Sequence, residues 1–372
     1  MKKMHKEAFV ILAVIPLLIL LLISNNGNAF QQKKDPDKQI ILDHADTMRT
    51  KGDFRTLIGN VQIRQGNKTL RANHALWDSR SGLVNLSGNV FLVEPDQTIT
   101  ARRISYFENT GNYECDGDVD FVRKDSIRIR CDFARFSELD QLLTLIDSVR
   151  IDNYSDGAII TGQRGKWFKE TEIAIVEFDP VYKLPGKEKN ELDTLVIKSK
   201  LITFEKMTNS ALFTSDVELE IAEMLAVSDT LFHEPDSERT ELTGAPMIWR
   251  DQDQLSGKKI NLISEDNNIE RIIIKGDAVI LSEAHEMDER RNRLAGTDMI
   301  IKVIDDSSRH VHVQGDAEGE YHVWDEQDVY NGVNLSAADV IELIIEGNKV
   351  SEIILEGRTS GAFYPPGMAP EK

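Results

Sequence analysis

Basic residues are in short supply in this chain. Lys and Arg number 44 against 63 Asp and Glu, a formal net charge of −19 over 372 residues. Nucleic acid is thereby excluded as a partner, because phosphate binding depends on clustered cations that release counterions. A polybasic hold on an anionic bilayer is excluded for the same reason. An anionic amphiphile would have to be held mainly through its acyl chains, with single Lys or Arg residues near the head group. Catalytic signatures are missing too: there is no Gly-x-Ser-x-Gly elbow, no phosphate loop and no His-Glu-x-x-His. Paired acids such as Glu218 and Glu220 alternate along a strand and read as a solvated face. The sequence therefore points away from an enzyme, and no cofactor is expected.

Metal ligands are equally sparse. His310 and His312 would place two imidazoles on one strand face, but the parity that turns Val311 and Val313 inward turns both outward. With His322 they have no Cys or carboxylate at a ligand spacing, so no metal is expected. The two cysteines, Cys115 and Cys131, permit one disulfide in an exported protein, and both positions are also explained as small apolar packing residues. Sheets packed ~10 Å apart hold most facing residues too far apart to bridge.

The N-terminus carries Lys2, Lys3 and Lys6, then sixteen uncharged residues from Ala8 to Ile23 interrupted by Pro16, then Gly27-Asn28-Ala29. A short positive region, an apolar run and small residues before a cut at Phe30 form a secretory signal pattern over residues 1–29. An uncleaved inner-membrane anchor through residues 8–23 is the competing reading, although that run falls short of the ~20 residues that span a bilayer. Either way the remainder is exported. Residues 30–39 read as a polar, flexible lead-in.

What is abundant is repetition. Leu57-Ile58-Gly59-Asn60-Val61-Gln62-Ile63 returns as Leu86-Ser87-Gly88-Asn89-Val90-Phe91-Leu92 and as Cys115-Asp116-Gly117-Asp118-Val119-Asp120-Phe121, each time 29 residues on. Degenerate copies centre on Asp147, Asp179, Ser215, Gly244, Gly276, Gly315 and Gly357, about ten in all. A looser pattern of apolar, small, apolar and aromatic or aliphatic residues follows each of the first nine: Leu70, Ala72, Ala75, Trp77; then Ile99, Ala101, Ile104, Tyr106; then Ile129, Cys131, Ala134, Phe136. Within each half the apolar residues recur every second position, the sign of a half-buried strand. The repeat unit is thus two strands, with a step of three that a β-bulge would produce and a Gly-Asn/Asp corner at the centre. A few helix-like spacings, as in 337–345, are read as strand because the repeat passes through them.

The predicted architecture is all-β, built of about ten two-strand repeats, with residues 40–182 a first unit, 183–363 a second degenerate unit continuous with it, and 364–372 a tail. At about 4.8 Å per strand such an array encloses a groove about 45 Å long. Its inward columns include Val61, Ile63, Ala72, Val90, Leu92, Ala101, Ile104, Tyr106, Val119 and Phe121. They are compatible with a lipid groove and with an ordinary filled core. A column of small residues, Ala72, Ala101, Cys131, Gly162, Ser199, Gly257 and Gly296, either leaves room for acyl chains or permits close packing. Unpaired edges are expected at Ile40–Ala45 and Ile353–Phe363.

The run from Ala75 to Val90, continuing to Thr98-Ile99-Thr100-Ala101, resembles the OstA-like lipopolysaccharide-transport periplasmic protein family. The similarity is strongest over Leu57–Phe136. The resemblance implies an elongated, LptA/LptC-like β-jellyroll, open and V-shaped in section, whose two sheets hold acyl chains between them. It also implies a periplasmic protein that binds lipopolysaccharide or a related envelope lipid and carries or bridges it toward the outer membrane. The partners so implied are other jellyroll proteins of that transport system, or a second copy, joined through edge strands. An exported structural scaffold with a filled core and no lipid is the alternative.

Overall fold

The alternation of apolar and polar residues is realised as strand almost throughout. A computed structural model of the chain describes residues 39–368 except 125, 187–193, 266–267, 286–287, 306, 326 and 348. The leader or anchor expected at residues 1–29 lies outside the described residues. No helix among the described residues is long and apolar enough to cross a membrane. One turn of 3-10 helix, Pro235–Ser237, interrupts the strands, and 337–345 falls inside the strand Tyr330–Glu346.

Successive strands pair antiparallel. Phe54–Gln65 pairs with Lys68–Asp78, then come Leu83–Val93, Gln97–Phe107, Tyr113–Arg123, Ile127–Ser137, Leu142–Asn153 and Ile159–Phe168. The register of each pair shifts at mid-strand, for instance between Ile58 and Val61 and between Ser87 and Val90. Each pass of the chain is thereby divided into two halves, and the sheet folds along the line of shifts into two arms. In the first passes one arm holds residues 54–58, 74–78, 83–87 and 103–107, and the other holds 61–65, 68–71, 90–93 and 97–100. Elsewhere the strand breaks at the corner, as between Ile173–Glu177 and Val181–Leu184, or between Arg239–Thr243 and Met247–Arg250.

Two consecutive left-handed residues make the corner. Gly59 has φ 76° and Asn60 φ 44°, and Gly117 and Asp118 have 77° and 50°. Glycine has no Cβ to clash there, and Asn and Asp tolerate the left-handed region better than other residues. Copies without glycine keep the geometry, with φ 60° and 52° at Asp147 and Ser148 and 66° and 51° at Ser215 and Asp216. One centre differs from the sequence expectation. The left-handed pair is Phe178 and Asp179, at 63° and 54°, so it is centred one residue before Asp179. Pro180 cannot be its second member, because its ring locks φ near −65°.

A bulky left-handed residue carries strain of about 1–2 kcal/mol, partly offset in a Phe178→Gly variant by the entropy glycine loses on folding. We expect Phe178→Gly to raise stability by about 0.5–1 kcal/mol, seen as a higher urea midpoint. A lower midpoint would mean that the stacking of Arg164 on the Phe178 ring, at 4.9 Å, outweighs the strain.

Burial follows the pleat. In Leu83–Val93 the buried residues are Val84, Leu86, Val90 and Leu92, the four-residue step from 86 to 90 absorbing the corner. The inner faces of both arms share one hydrophobic core running from Ile40 to Ile341. Each large aliphatic side chain in it contributes about 1.5–3 kcal/mol. At the ends, Ile41–His44 and Thr47–Lys51 both pair with Phe54–Gln65, and Lys349–Glu356 and Ser360–Tyr364 both pair with Tyr330–Glu346. Each terminal edge therefore consists of two short strands, one per arm.

Candidate functional site

All ten residues expected in a groove, Val61, Ile63, Ala72, Val90, Leu92, Ala101, Ile104, Tyr106, Val119 and Phe121, point inward and are buried, between 0% and 8% exposed. They belong to the continuous core. The small-residue column sits at the corners, where the next pass comes close. A Cβ added to Gly162 would lie 2.5 Å from Val176 Cγ1, one on Gly257 2.4 Å from Ile274 Cγ2, and one on Gly296 2.5 Å from Val313 Cγ1. Close packing at the corner therefore accounts for the glycines of this column.

Opposite the corners, where the two arms end, polar side chains tie one arm to the other. Tyr106 donates its hydroxyl to Gln65 Oε1, and Gln65 Nε2 donates to the Glu108 carbonyl at 3.1 Å. Burial pushes the Tyr106 phenol well up, which keeps it a donor. Lys68 pairs with Glu138, and Arg123 with Glu172. Lys169 Nζ lies 2.7 Å from Glu94 Oε2, and Asn153 Nδ2 donates to Asn209 Oδ1 at 2.9 Å. The ladder registers place the members of each tie on different arms, so over the early passes the mouth is closed and the core beneath it filled.

Further along, the interior opens. A cavity of about 430 Å³ lies between the arms formed by the later strands, within the 300–1,000 Å³ usual for ligand pockets. Ile272, Ile301, Val311, Ile341 and Leu343 give one arm's wall an aliphatic surface, and Leu255, Ile280, Leu294, Gly319 and Ser336 contribute from the other. Arg250, Arg293 and Arg309 also line it. Arg309 meets Asp253 across the arms at 2.8 Å, and burial pushes the Asp253 carboxyl up although Arg309 pulls it down. The strands here are longer: Asn268–Glu283 and Arg309–Trp324 have 16 residues and Tyr330–Glu346 has 17, against 11 in Leu83–Val93. The corner centres are also further apart here, 39 residues from Gly276 to Gly315 and 42 from Gly315 to Gly357, and the longer strands take up part of that length.

The remaining candidates fall outside the cavity. Cys115 and Cys131 are buried free thiols, Cys115 opposite Ala134 and Cys131 opposite Val119. Burial pushes both up, Cys131 to about 12. His310 and His312 face the same carboxylate, Glu342, at 3.5 and 3.0 Å. His322 lies on the other arm with Tyr330 and Trp324. Glu218 and Glu220 are exposed on alternate positions of Ser210–Ile221.

Residues 39–268 match the family model described as LptA/(LptD N-terminal domain) LPS transport protein. No curated protein matches the chain. Among solved structures, the crystal structure of LptH, the LptA homologous periplasmic component of the conserved lipopolysaccharide transport device from Pseudomonas aeruginosa, aligns with 39% of this chain and 85% of its own at 16% identity. The TM-score of 0.19 is too low to bear on fold or site.

Proposed function

Because the chain belongs to the LptA/LptD N-terminal domain family of lipopolysaccharide transport proteins, we propose that it binds lipopolysaccharide between the arms of its folded sheet and carries or bridges it toward the outer membrane. The observation that carries this reading is the cavity of about 430 Å³ between aliphatic walls. Acyl chains gain about 0.8 kcal/mol for each methylene they bury, and the acidic surface leaves the chains, with Arg250, Arg293 and Arg309 beside them, as the means of holding an anionic lipid. No chemical step is needed, only accommodation and release.

In this reading the architecture serves as an open jellyroll, and the protein works in the periplasm. The inward columns around Val90, Ile104 and Phe121 are a continuation of the same interior, reached by lipid when the ties across the mouth part. The terminal edges serve as joints, taking a strand from another transport jellyroll or from a second copy by β-augmentation. At the C-terminal edge Ile353 and Phe363 are exposed, whereas Thr47–Lys51 at the other edge is polar apart from Met48. The filled early core is what an exported scaffold would also have, but a scaffold has no use for the cavity.

A photoreactive residue at Leu343 or Ile280 is expected to form lipopolysaccharide adducts under ultraviolet light in the cell envelope, with fewer adducts from Val90, Ile104 or Phe121. Absence of adducts at all five positions would sink the groove reading and leave the scaffold.

A further inference from the structure

A second cavity, of about 240 Å³, lies between the arms among different residues from the first. Leu184, Leu195, Leu219 and Ile221 line it from one arm, and Leu262 and His233 from the other. It exceeds the 150 Å³ apolar cavity that suffices for benzene. Two polar atoms of its lining residues are buried without a hydrogen-bond partner among the described residues: His233 Nε2 and Asp156 Oδ2. Native proteins leave few such atoms, and each needs an explanation.

His233 is held in place on its other side. Its side chain is buried, with 5% of the residue exposed; Nδ1 shares a hydrogen bond with Thr240 Oγ1 at 2.9 Å, and its ring packs edge-on against Tyr182 at 5.8 Å. Desolvation lowers the imidazole to about 4, so it is neutral at ordinary pH and offers Nε2 as a donor or as an acceptor according to tautomer. Asp156 fixes its other oxygen, Oδ1, on the Asn153 amide and the Ala158 N–H, both at 2.8 Å, leaving Oδ2 as a pure acceptor.

We propose that this cavity binds an aliphatic chain bearing a hydroxyl, the chain against the leucine and isoleucine walls and the hydroxyl at His233 and Asp156. A hydroxyl is the small neutral group that donates to a carboxylate oxygen and either donates to or accepts from an imidazole nitrogen. An ether can accept from Nε2–H but donates nothing to the carboxylate, and a plain alkane satisfies neither group. The site shares no lining residue with the larger cavity, so lipid adducts there and ligand binding here are independent readouts.

The test titrates 1-octanol and octyl methyl ether into the full chain, with the imidazole nitrogens followed by 15N NMR. Octanol should bind about tenfold more tightly than the ether, the margin of a hydrogen bond to a charged or buried group, and should move the His233 Nε2 resonance. His233→Phe should bring the two probes to near-equal affinity, and Ile221→Trp should abolish binding of both. Equal affinities in the wild-type chain, an unmoved Nε2 resonance, or tighter binding of octylamine than of octanol would each overturn the proposal. The nitrogen resonance decides the matter in the unaltered protein even where His233→Phe does not fold.

Discussion

Replacing Glu94 by alanine is expected to cost about 3–5 kcal/mol of stability, the range found when one partner of a buried ion pair is removed. The Glu94 side chain is only 5% exposed. Its Oε2 accepts from Lys169 Nζ and from Gln97 Nε2, both at 2.7 Å, and its Oε1 lies 3.9 Å from Lys68 Nζ. The two ammonium groups sit 5.7 and 6.0 Å from the centre of the Phe136 ring. Without Glu94, two cations remain close together in a poorly solvated place, with Glu138 the partner of Lys68 alone. A fall of the urea midpoint matching this range, partly restored by adding Lys169→Met, is the expected result. A change below about 1 kcal/mol would place the cluster with ordinary surface pairs, whose contribution is small.

The second large effect concerns the cavity. Ser336 lies on its wall, its hydroxyl 3.4 Å from the Gly319 carbonyl. Ser336→Trp should project an indole into space now empty and weaken lipopolysaccharide binding by about tenfold or more, since a ligand loses burial wherever its pocket is filled. Circular dichroism and the urea midpoint should change little, because the cavity receives the added volume without displacing the core. Undiminished lipopolysaccharide binding by a folded Ser336→Trp protein would remove this cavity from the function.

Local chemistry was legible in the sequence. The Gly-Asn and Gly-Asp pairs announce a corner because left-handed backbone is a property of two residues, and Val90 and Leu92 announce an inward face because the pleat has a period of two. Phe178 escaped for the same reason: phenylalanine is a poor marker of left-handed backbone, and the stacking of Arg164 on its ring is a tertiary event. The ties across the mouth were not legible. Lys169 and Glu94 are 75 residues apart, and only the facing of two arms brings them together. A cavity is harder still, because it is defined by what neighbouring side chains fail to reach. Ile272, Leu343 and Ser336 follow the same pattern as residues of the filled core, and the lengthened strands around them make the difference.

The corners have the same geometry at both ends of the molecule. Gly59 and Asn60 turn the chain at φ 76° and 44° where the mouth is tied shut, and Gly315 and Asp316 turn it at 80° and 47° beside the cavity. The corner is therefore generic, and what differs between the two places is the length of the strands that leave it and the side chains at the far end of each arm. Capacity and frame can then vary independently: changing a few side chains at the rim would widen or narrow the interior locally while every turn of the backbone stays as it is.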